Sequence, residues 1–227
     1  MKTILITGAG KGIGLELVRQ SVASGHRVVA VSRNTGALEK MLGNTLHVVT
    51  GDLRTLNWSD ILTGLPEGWN PVEVLINNAG AIVNKPFLTI DLREVEEVYA
   101  TNVFGVIRLI QDVIRLRHHQ KSMHIVNISS MGGYQGSAKF PGLSVYSSSK
   151  GALSILSECL AEEFKEEGIR VNALCLGAVQ TEMLSEAFPG YQAPIQPGEM
   201  AEFILDFALR SDRFINGKVI PVSISTP

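Results

Sequence analysis

Only two cysteines, Cys159 and Cys175, occur among the 227 residues, so the chain has no material for a disulfide framework or a cysteine-rich metal site. Both lie in apolar runs and are expected as small core residues in a reducing compartment. Charge of either sign is scarce. Charged residues make up 19% and the formal net charge is −2, which excludes the basic footprint of a nucleic-acid binder and a polybasic membrane patch. The one basic cluster, RLRHHQK over 115–121, closes a predicted helix, where cations complement the helix dipole. The five histidines, at 26, 47, 118, 119 and 124, show no metal-ligand spacing, and neighbouring His118 and His119 point to different sides of a helix. No apolar run reaches the length of a membrane span. The opening segment MKTILITG enters a predicted strand at once, its apolar stretch too short for a secretory signal, and a cytoplasmic protein is expected.

What is abundant is apolar sequence, 45% of the chain, in bursts that alternate with helical patterns. Runs at 2–7, 27–32, 46–50, 72–77, 123–129, 169–176 and 217–223 are continuously apolar, as strands of a parallel sheet covered on both faces must be. Helical spacing covers roughly 12–24, 36–42, 92–118, 146–167 and 199–210. Strand–helix alternation with short connections predicts an α/β class, a doubly wound parallel sheet of the Rossmann type. About seven strands would be flanked by helices on both faces, in a single domain spanning 1–227. Ligands of such sheets sit outside the carboxyl ends of the strands, and each strand here ends in glycine or polar residues: TGAGKGIG, SRN, TGDL, NNAG, NISS and LGAVQT.

The segment TGAGKGIG (7–14) joins the first strand to the first helix. Four glycines let the backbone approach a ligand, and the helix N-terminus offers free N–H groups to a phosphate. The spacing is G-x-x-x-G-x-G through Gly8, Gly12 and Gly14. It is not G-x-G-x-x-G, because Ile13 stands where the third glycine would fall, and no Gly-Lys-Ser/Thr completes a P-loop. Gly10, Lys11 and Ile13 complete the turn. The second strand ends in Ser32 and Arg33, where a carboxylate would select NAD. An arginine there suits the 2′-phosphate of NADP, with Lys11 as a second cation, so NADP(H) is favoured over NAD(H). Asp52, followed by Leu53, ends the third strand. Its carboxylate is placed to bond the adenine amino group or to cap a following helix.

Tyr146 and Lys150, one helical turn apart in YSSSK, share a helix face. With T-G-x-x-x-G-x-G (7–14), NNAG (77–80), TNVFG (101–105) and NISS (127–130), they complete a set of five motifs in order. On these motifs the chain resembles the short-chain dehydrogenase/reductase family in its compact single-domain form, over nearly its whole length. The resemblance implies hydride transfer between a nicotinamide and a carbonyl or alcohol substrate, with Tyr146 as general acid/base. Lys150 would lower the phenol's pKa and bond the nicotinamide ribose, and Ser130 would orient the carbonyl. Asn102 would hold a water from a distorted helix, a position where asparagine is otherwise a poor choice. Asn78, Ala79 and Gly80 would run beside the ribose, and Gly177, Val179 and Thr181 would meet the carboxamide. A homodimer or homotetramer is also implied, and the apolar stripe Val103, Ile107, Ile110 and Ile114 is expected as core first and subunit interface second. A catalytically silent NADP-binding regulator is the alternative, but such a protein would be expected to lack part of the set Asn102, Ser130, Tyr146 and Lys150, and all four are present.

The chain departs from the family pattern twice. Ser130 precedes Tyr146 by sixteen residues, a longer interval than usual, through the glycine-rich GGYQGSAKFPGLS; Ser129 competes for the role, although strand alternation favours Ser130. Leu176-Gly177 replaces Pro-Gly after the sixth strand, and the lost proline is expected to loosen the segment that follows. That segment, 182–199, has the composition of a substrate lid. Met131 and Tyr134 are placed either to line a substrate pocket or to make ordinary surface contacts. The serines at 147–149 have no assigned task.

Overall fold

The computed structural model describes residues 1–117 and 122–224; positions 118–121, including the histidine pair and the end of the basic cluster, lie outside the described residues. All seven predicted strands are present: β1 Thr3–Thr7, β2 Arg27–Ser32, β3 Leu46–Thr50, β4 Val74–Asn77, β5 Met123–Ser130, β6 Ile169–Leu176 and β7 Val219–Val222. They form one parallel sheet in the order β3-β2-β1-β4-β5-β6-β7. The order reverses between β1 and β4, and this switch point opens a crevice at the strands' carboxyl ends.

Successive residues of a strand face opposite sides, so each strand feeds two cores. Ile4, Ile6 and Val28 pack with Leu17 and Val18 of α1 (Gly12–Ala23) and Ile204 of α8 (Pro197–Arg210). Leu5, Val29 and Ile125 pack on the other side with Val106 and Leu109 of α5 (Gly105–Leu116) and Leu153 of α6 (Ser144–Glu163). Trp58 and Leu62 join them from α3 (Trp58–Thr63), a helix the periodicity of the sequence does not predict. Asn57 caps it by accepting from Asp60 N at 3.4 Å.

Several expectations need correcting. The helix foreseen over 36–42 is the single turn α2, Gly36–Glu39. The long helix foreseen from 92 is broken into α4 (Leu92–Tyr99), a π-turn at Ala100–Phe104, and α5. Its buried stripe is Val106, Leu109, Ile110 and Val113, whereas Ile107 and Ile114 are only half-buried; the phase is set by the π-turn, which inserts a residue and rotates everything after it. Cys159 lies exposed on the outer face of α6, and only Cys175 is a core residue. The 182–199 segment contains α7 (Glu182–Ala187) and the first turn of α8. Leu176 continues β6, pairs with Val222 and seats in the core. Beyond it, Gly177 N donates to Val222 O at 2.8 Å, Gln180 N to Ile195 O at 2.8 Å and Ala193 N to Gln180 Oε1 at 2.7 Å. The segment after the missing proline is therefore tethered at three points.

Candidate active site

The β1–α1 turn is built by close backbone approach. Gly8 has φ +67°, in the left-handed region that favours glycine, and a side chain there would sit 2.8 Å from Ala79 Cα. A Cβ on Gly14 would overlap the Gly8 carbonyl oxygen and lie 2.6 Å from Asn78 Nδ2. Asn78 locks this contact by donating to Thr7 O (3.1 Å) and Gly8 O (3.2 Å), while Thr7 Oγ1 accepts from Asn78 N and Ala79 N, both at 3.1 Å. NNAG therefore ties β4 to the glycine turn. Gly14 serves that packing and does not line the cleft. At the start of α1, Lys11 contributes no side-chain cap and the first turn holds no acidic residue, so the leading N–H groups remain available to an anion.

A cleft of about 570 Å³ runs from this turn across the strand ends. Every catalytic or cofactor-binding residue expected from the sequence lines it except Gly14 and Asn102. At one end stand Ser32, Arg33, Asp52 and Leu53. Arg33 is exposed and makes no hydrogen bond or ion pair with any described residue, though its charge reaches Asp52. Asp52 is already committed: Arg54 clasps its carboxylate (Nη2–Oδ2 2.7 Å) and donates its backbone N–H to Oδ1 at 2.9 Å, which holds the carboxyl below its usual range. It thus caps a turn, not a helix, because the chain after it forms no helix before α3. Lys11 reaches the other way, pairing with Glu186 of α7 at 3.5 Å across the mouth of the cleft.

At the centre, β5 delivers Ser129 and Ser130 to opposite sides. Ser129 is buried, and its hydroxyl donates to Lys150 O at 2.9 Å. Ser130 Oγ accepts from Gly132 N at 3.2 Å, and its hydroxyl stands close enough to the Tyr146 phenol to lower that group's pKa. The longer loop thus returns to the register that strand alternation indicates. Ser130→Ala is expected to lower turnover at least about tenfold, while Ser129→Ala, which disturbs only packing beneath α6, should act mainly on stability. Steady-state rates and melting curves of the two variants check the assignment; the reverse pattern would overturn it.

Tyr146 is half-buried. Burial pushes its phenol up, opposed by the Ser130 hydroxyl. Lys150 is buried, donates from Nζ to Ile128 O at 2.8 Å, and lies 6.0 Å from the Tyr146 ring centroid. Desolvation lowers its pKa from 10.5 to about 8. In the chain by itself burial outweighs these neighbours and the phenol's pKa stands above its usual value.

The three serines between them are each employed. A Cβ on Gly132 would come within 2.7 Å of Ser147 Oγ, so the loop lies directly against the helix there. Ser148 accepts from Tyr99 OH at 3.0 Å, joining α6 to α4. Ser149 donates to Tyr146 O at 2.7 Å and accepts from Asn102 Nδ2 at 2.9 Å. Asn102, fully buried in the π-turn, also donates to Ala81 O (2.9 Å) and accepts from Ala81 N (2.7 Å). The wider π-turn gives this side chain room to bridge β4's exit to the tyrosine's helix. Sequence reading missed this brace, for which the only signal was an asparagine in mid-helix.

At the far end, Thr181 caps α7 by accepting from Leu184 N at 3.2 Å, and Gly177 lies against Ser223, where a Cβ would come within 2.5 Å of Oγ. Val179 bridges to Ile195. Met131 lines the cleft and Tyr134 does not; Phe140, Leu143, Met183, Phe188 and Tyr191 do, and none of these five was foreseen individually. No helix is long and apolar enough to cross a membrane, and no cluster of metal-ligating side chains occurs, both among the described residues.

A family model described as short chain dehydrogenase matches residues 2–192. L-xylulose reductase of Bos taurus is 37% identical over 180 residues, which is 79% of this chain and 72% of the bovine enzyme. Carbonyl reductase [NADPH] 2 of Sus scrofa is 35% identical over 182 residues, again 79% and 72% of the two chains. A 4-hydroxyisoleucine dehydrogenase solved with NADH superposes with a TM-score of 0.87 at 26% identity, covering 98% of this chain and 97% of the other.

Proposed function

The chain belongs to the short-chain dehydrogenase family of oxidoreductases, and on that premise we propose that it is an NADP(H)-dependent enzyme interconverting a carbonyl and an alcohol, with Tyr146 as general acid/base. The observation that carries the reading is the meeting of two hydroxyls, Ser130 and Tyr146, where the glycine-turn end of the cleft joins its apolar end, with the Lys150 ammonium buried beside them.

The residues present fit a dinucleotide. The uncapped start of α1 and the bare Gly12 beside it suit a pyrophosphate, Gly10 lets the turn lie against Ser32 and Asn34, and Gly80 leaves a path past Lys150 Nζ for a ribose. Ile13, Leu53 and Ala79 would form apolar walls, and Gly177, Val179 and Thr181 would meet the carboxamide. The bound nicotinamide supplies the hydride. Ser130 holds the substrate oxygen, and the neutral Tyr146 phenol gives it a proton as negative charge develops there. The water-holding role implied for Asn102 would fall to its backbone, since both side-chain amide protons are committed to Ala81 and Ser149.

NADP is preferred because Arg33 has no competing partner among the described residues, no carboxylate ends β2, and the exposed Lys11–Glu186 pair is weak enough for a phosphate to displace. Fluorescence titration is expected to show NADPH binding at least about tenfold tighter than NADH, with Arg33→Ala removing most of the difference. Equal affinities in the unmodified protein would reverse the cofactor assignment. The assembly as a homodimer or homotetramer, the cytoplasmic setting and the lid role of 182–199 are parts of the same proposal.

A further inference from the structure

Among the described residues, five charged side chains line the cleft: Lys11, Arg33, Asp52, Lys150 and Glu182. Four of them belong to the cofactor end. Lys11, Arg33 and Asp52 stand at the carboxyl ends of β1, β2 and β3, and Glu182 turns its carboxylate toward the glycine turn, with Oε2 3.4 Å from the Cβ position of Gly12. Lys150 is held beneath the reaction centre by Ile128 O. Beyond Ser130 and Tyr146 the walls are Met131, Phe140, Leu143, Met183, Phe188 and Tyr191, and no ionised group stands among them. Two of these aromatics, Phe140 and Tyr191, are 49% and 50% exposed, an uncovered apolar surface at the mouth of a polar-centred cleft.

These walls are fixed in place. Phe140 and Leu143 sit on the longer loop, whose Gly142 carbonyl accepts from Lys85 N at 3.1 Å. The neighbouring Asn84 donates from Nδ2 to Ala187 O at 2.8 Å, at the end of the helix that leads into Phe188. Phe188 N in turn donates to Leu184 O at 2.8 Å, and Tyr191 N to Phe188 O at 3.1 Å. The loop after β5 and the segment after β6 are thus joined, through residues 84 and 85, into one apolar collar around the substrate oxygen's site.

We propose that this collar selects an uncharged carbonyl compound bearing an alkyl or aryl group, and discriminates against substrates whose remote end is a carboxylate, a phosphate or a polyol. This rests on the carbonyl–alcohol reading above. An anionic remote end would be buried without a counter-charge, and a sugar's hydroxyls would give up water for walls that offer almost no partners. Burying each added methylene against the collar should raise specificity roughly fourfold until the collar is full.

The test uses the purified full chain with saturating NADPH and three probes: 2-alkanones from butanone to octanone, 7-oxo-octanoate, in which a carboxylate replaces the terminal methyl of 2-octanone, and L-xylulose. Expected is a kcat/KM that climbs with chain length, with the oxo-acid and the ketopentose each at least about tenfold below octanone. Phe140→Ser and Tyr191→Ser should flatten the climb, lowering kcat/KM for octanone by several-fold more than for butanone. A level chain-length series, or a preference for the oxo-acid or the sugar, overturns the proposal with the wild-type protein alone, whether or not the variants fold. Binding of the same alkanones to the NADPH complex, read by quenching of cofactor fluorescence, separates the two claims. Graded binding without turnover sustains the collar and removes the carbonyl–alcohol reading. Turnover with ungraded binding does the opposite.

Discussion

Tyr146→Phe is expected to reduce kcat by about 10³-fold while the affinity for NADPH changes by less than about twofold. The substitution removes one atom, the phenol oxygen, beside which the Ser130 hydroxyl stands. The ring stays in its place on α6, and the glycine turn that would bind the cofactor is untouched. The direction of the phenol's pKa adds a second readout. Burial raises it above 10.0, so the group stays protonated through neutral pH, as a proton donor for carbonyl reduction should be. Reduction should therefore be nearly flat in pH across the neutral range, whereas alcohol oxidation, which needs the phenolate, should climb as pH rises. Stopped-flow rates in both directions with wild type and the phenylalanine variant check this. Wild-type rates in the variant would remove Tyr146 from the chemistry.

Lys150→Met is expected to abolish turnover and yet raise the melting temperature. The side chain carries a cation in a buried position, 4% exposed, and its pKa of about 8 against 10.5 reports what that burial costs. A fall of that size corresponds to about 3 kcal/mol against the charged form at neutral pH. Leaving the Ile128 carbonyl without its donor returns about 1 kcal/mol, so a net gain of about 2 kcal/mol remains. The pH dependence fixes the sign. Below about pH 8 the lysine is charged in both folded and unfolded chains, and the wild type bears the full penalty. As pH rises from there through 10.5 the folded chain binds fewer protons than the unfolded one, so wild-type stability increases and the variant's advantage shrinks and then reverses, leaving it less stable by about 1 kcal/mol. Denaturant titrations of the two proteins at several pH values measure that gap. An advantage that grew with pH, or a variant less stable at neutral pH, would contradict the account.

The strands were legible because a parallel sheet covered on both faces needs unbroken apolar runs, and nothing else in the chain has them. The glycine turn was legible for a related reason: glycines are forced where backbones touch, as at Gly8 and Gly14, and such positions tolerate few alternatives. What escaped was whatever depends on partners distant in sequence. The helix at 58–63 is too short to show a period, and Trp58 and Leu62 are held by the far side of the sheet. The rotation at Ala100–Phe104 displaced the predicted buried stripe of α5, because a π-turn leaves no repeat to count. Asp52 looked like a cofactor ligand or a helix cap, and only the fold shows Arg54 holding it. The substrate walls were invisible one by one, since Phe140, Phe188 and Tyr191 carry no spacing that sets them apart from ordinary aromatics.

The longer loop after β5 has a consequence for redesign. It is pinned at its start, where Gly132 lies against Ser147, and near its end, where Gly142 meets Lys85. Between those two staples the residues from 134 to 140 make no hydrogen bond with Ser130, Tyr146, Ser149 or Asn102. That stretch can be exchanged as a cassette, carrying a different choice of substrate into the same reaction chemistry without retuning the proton donor.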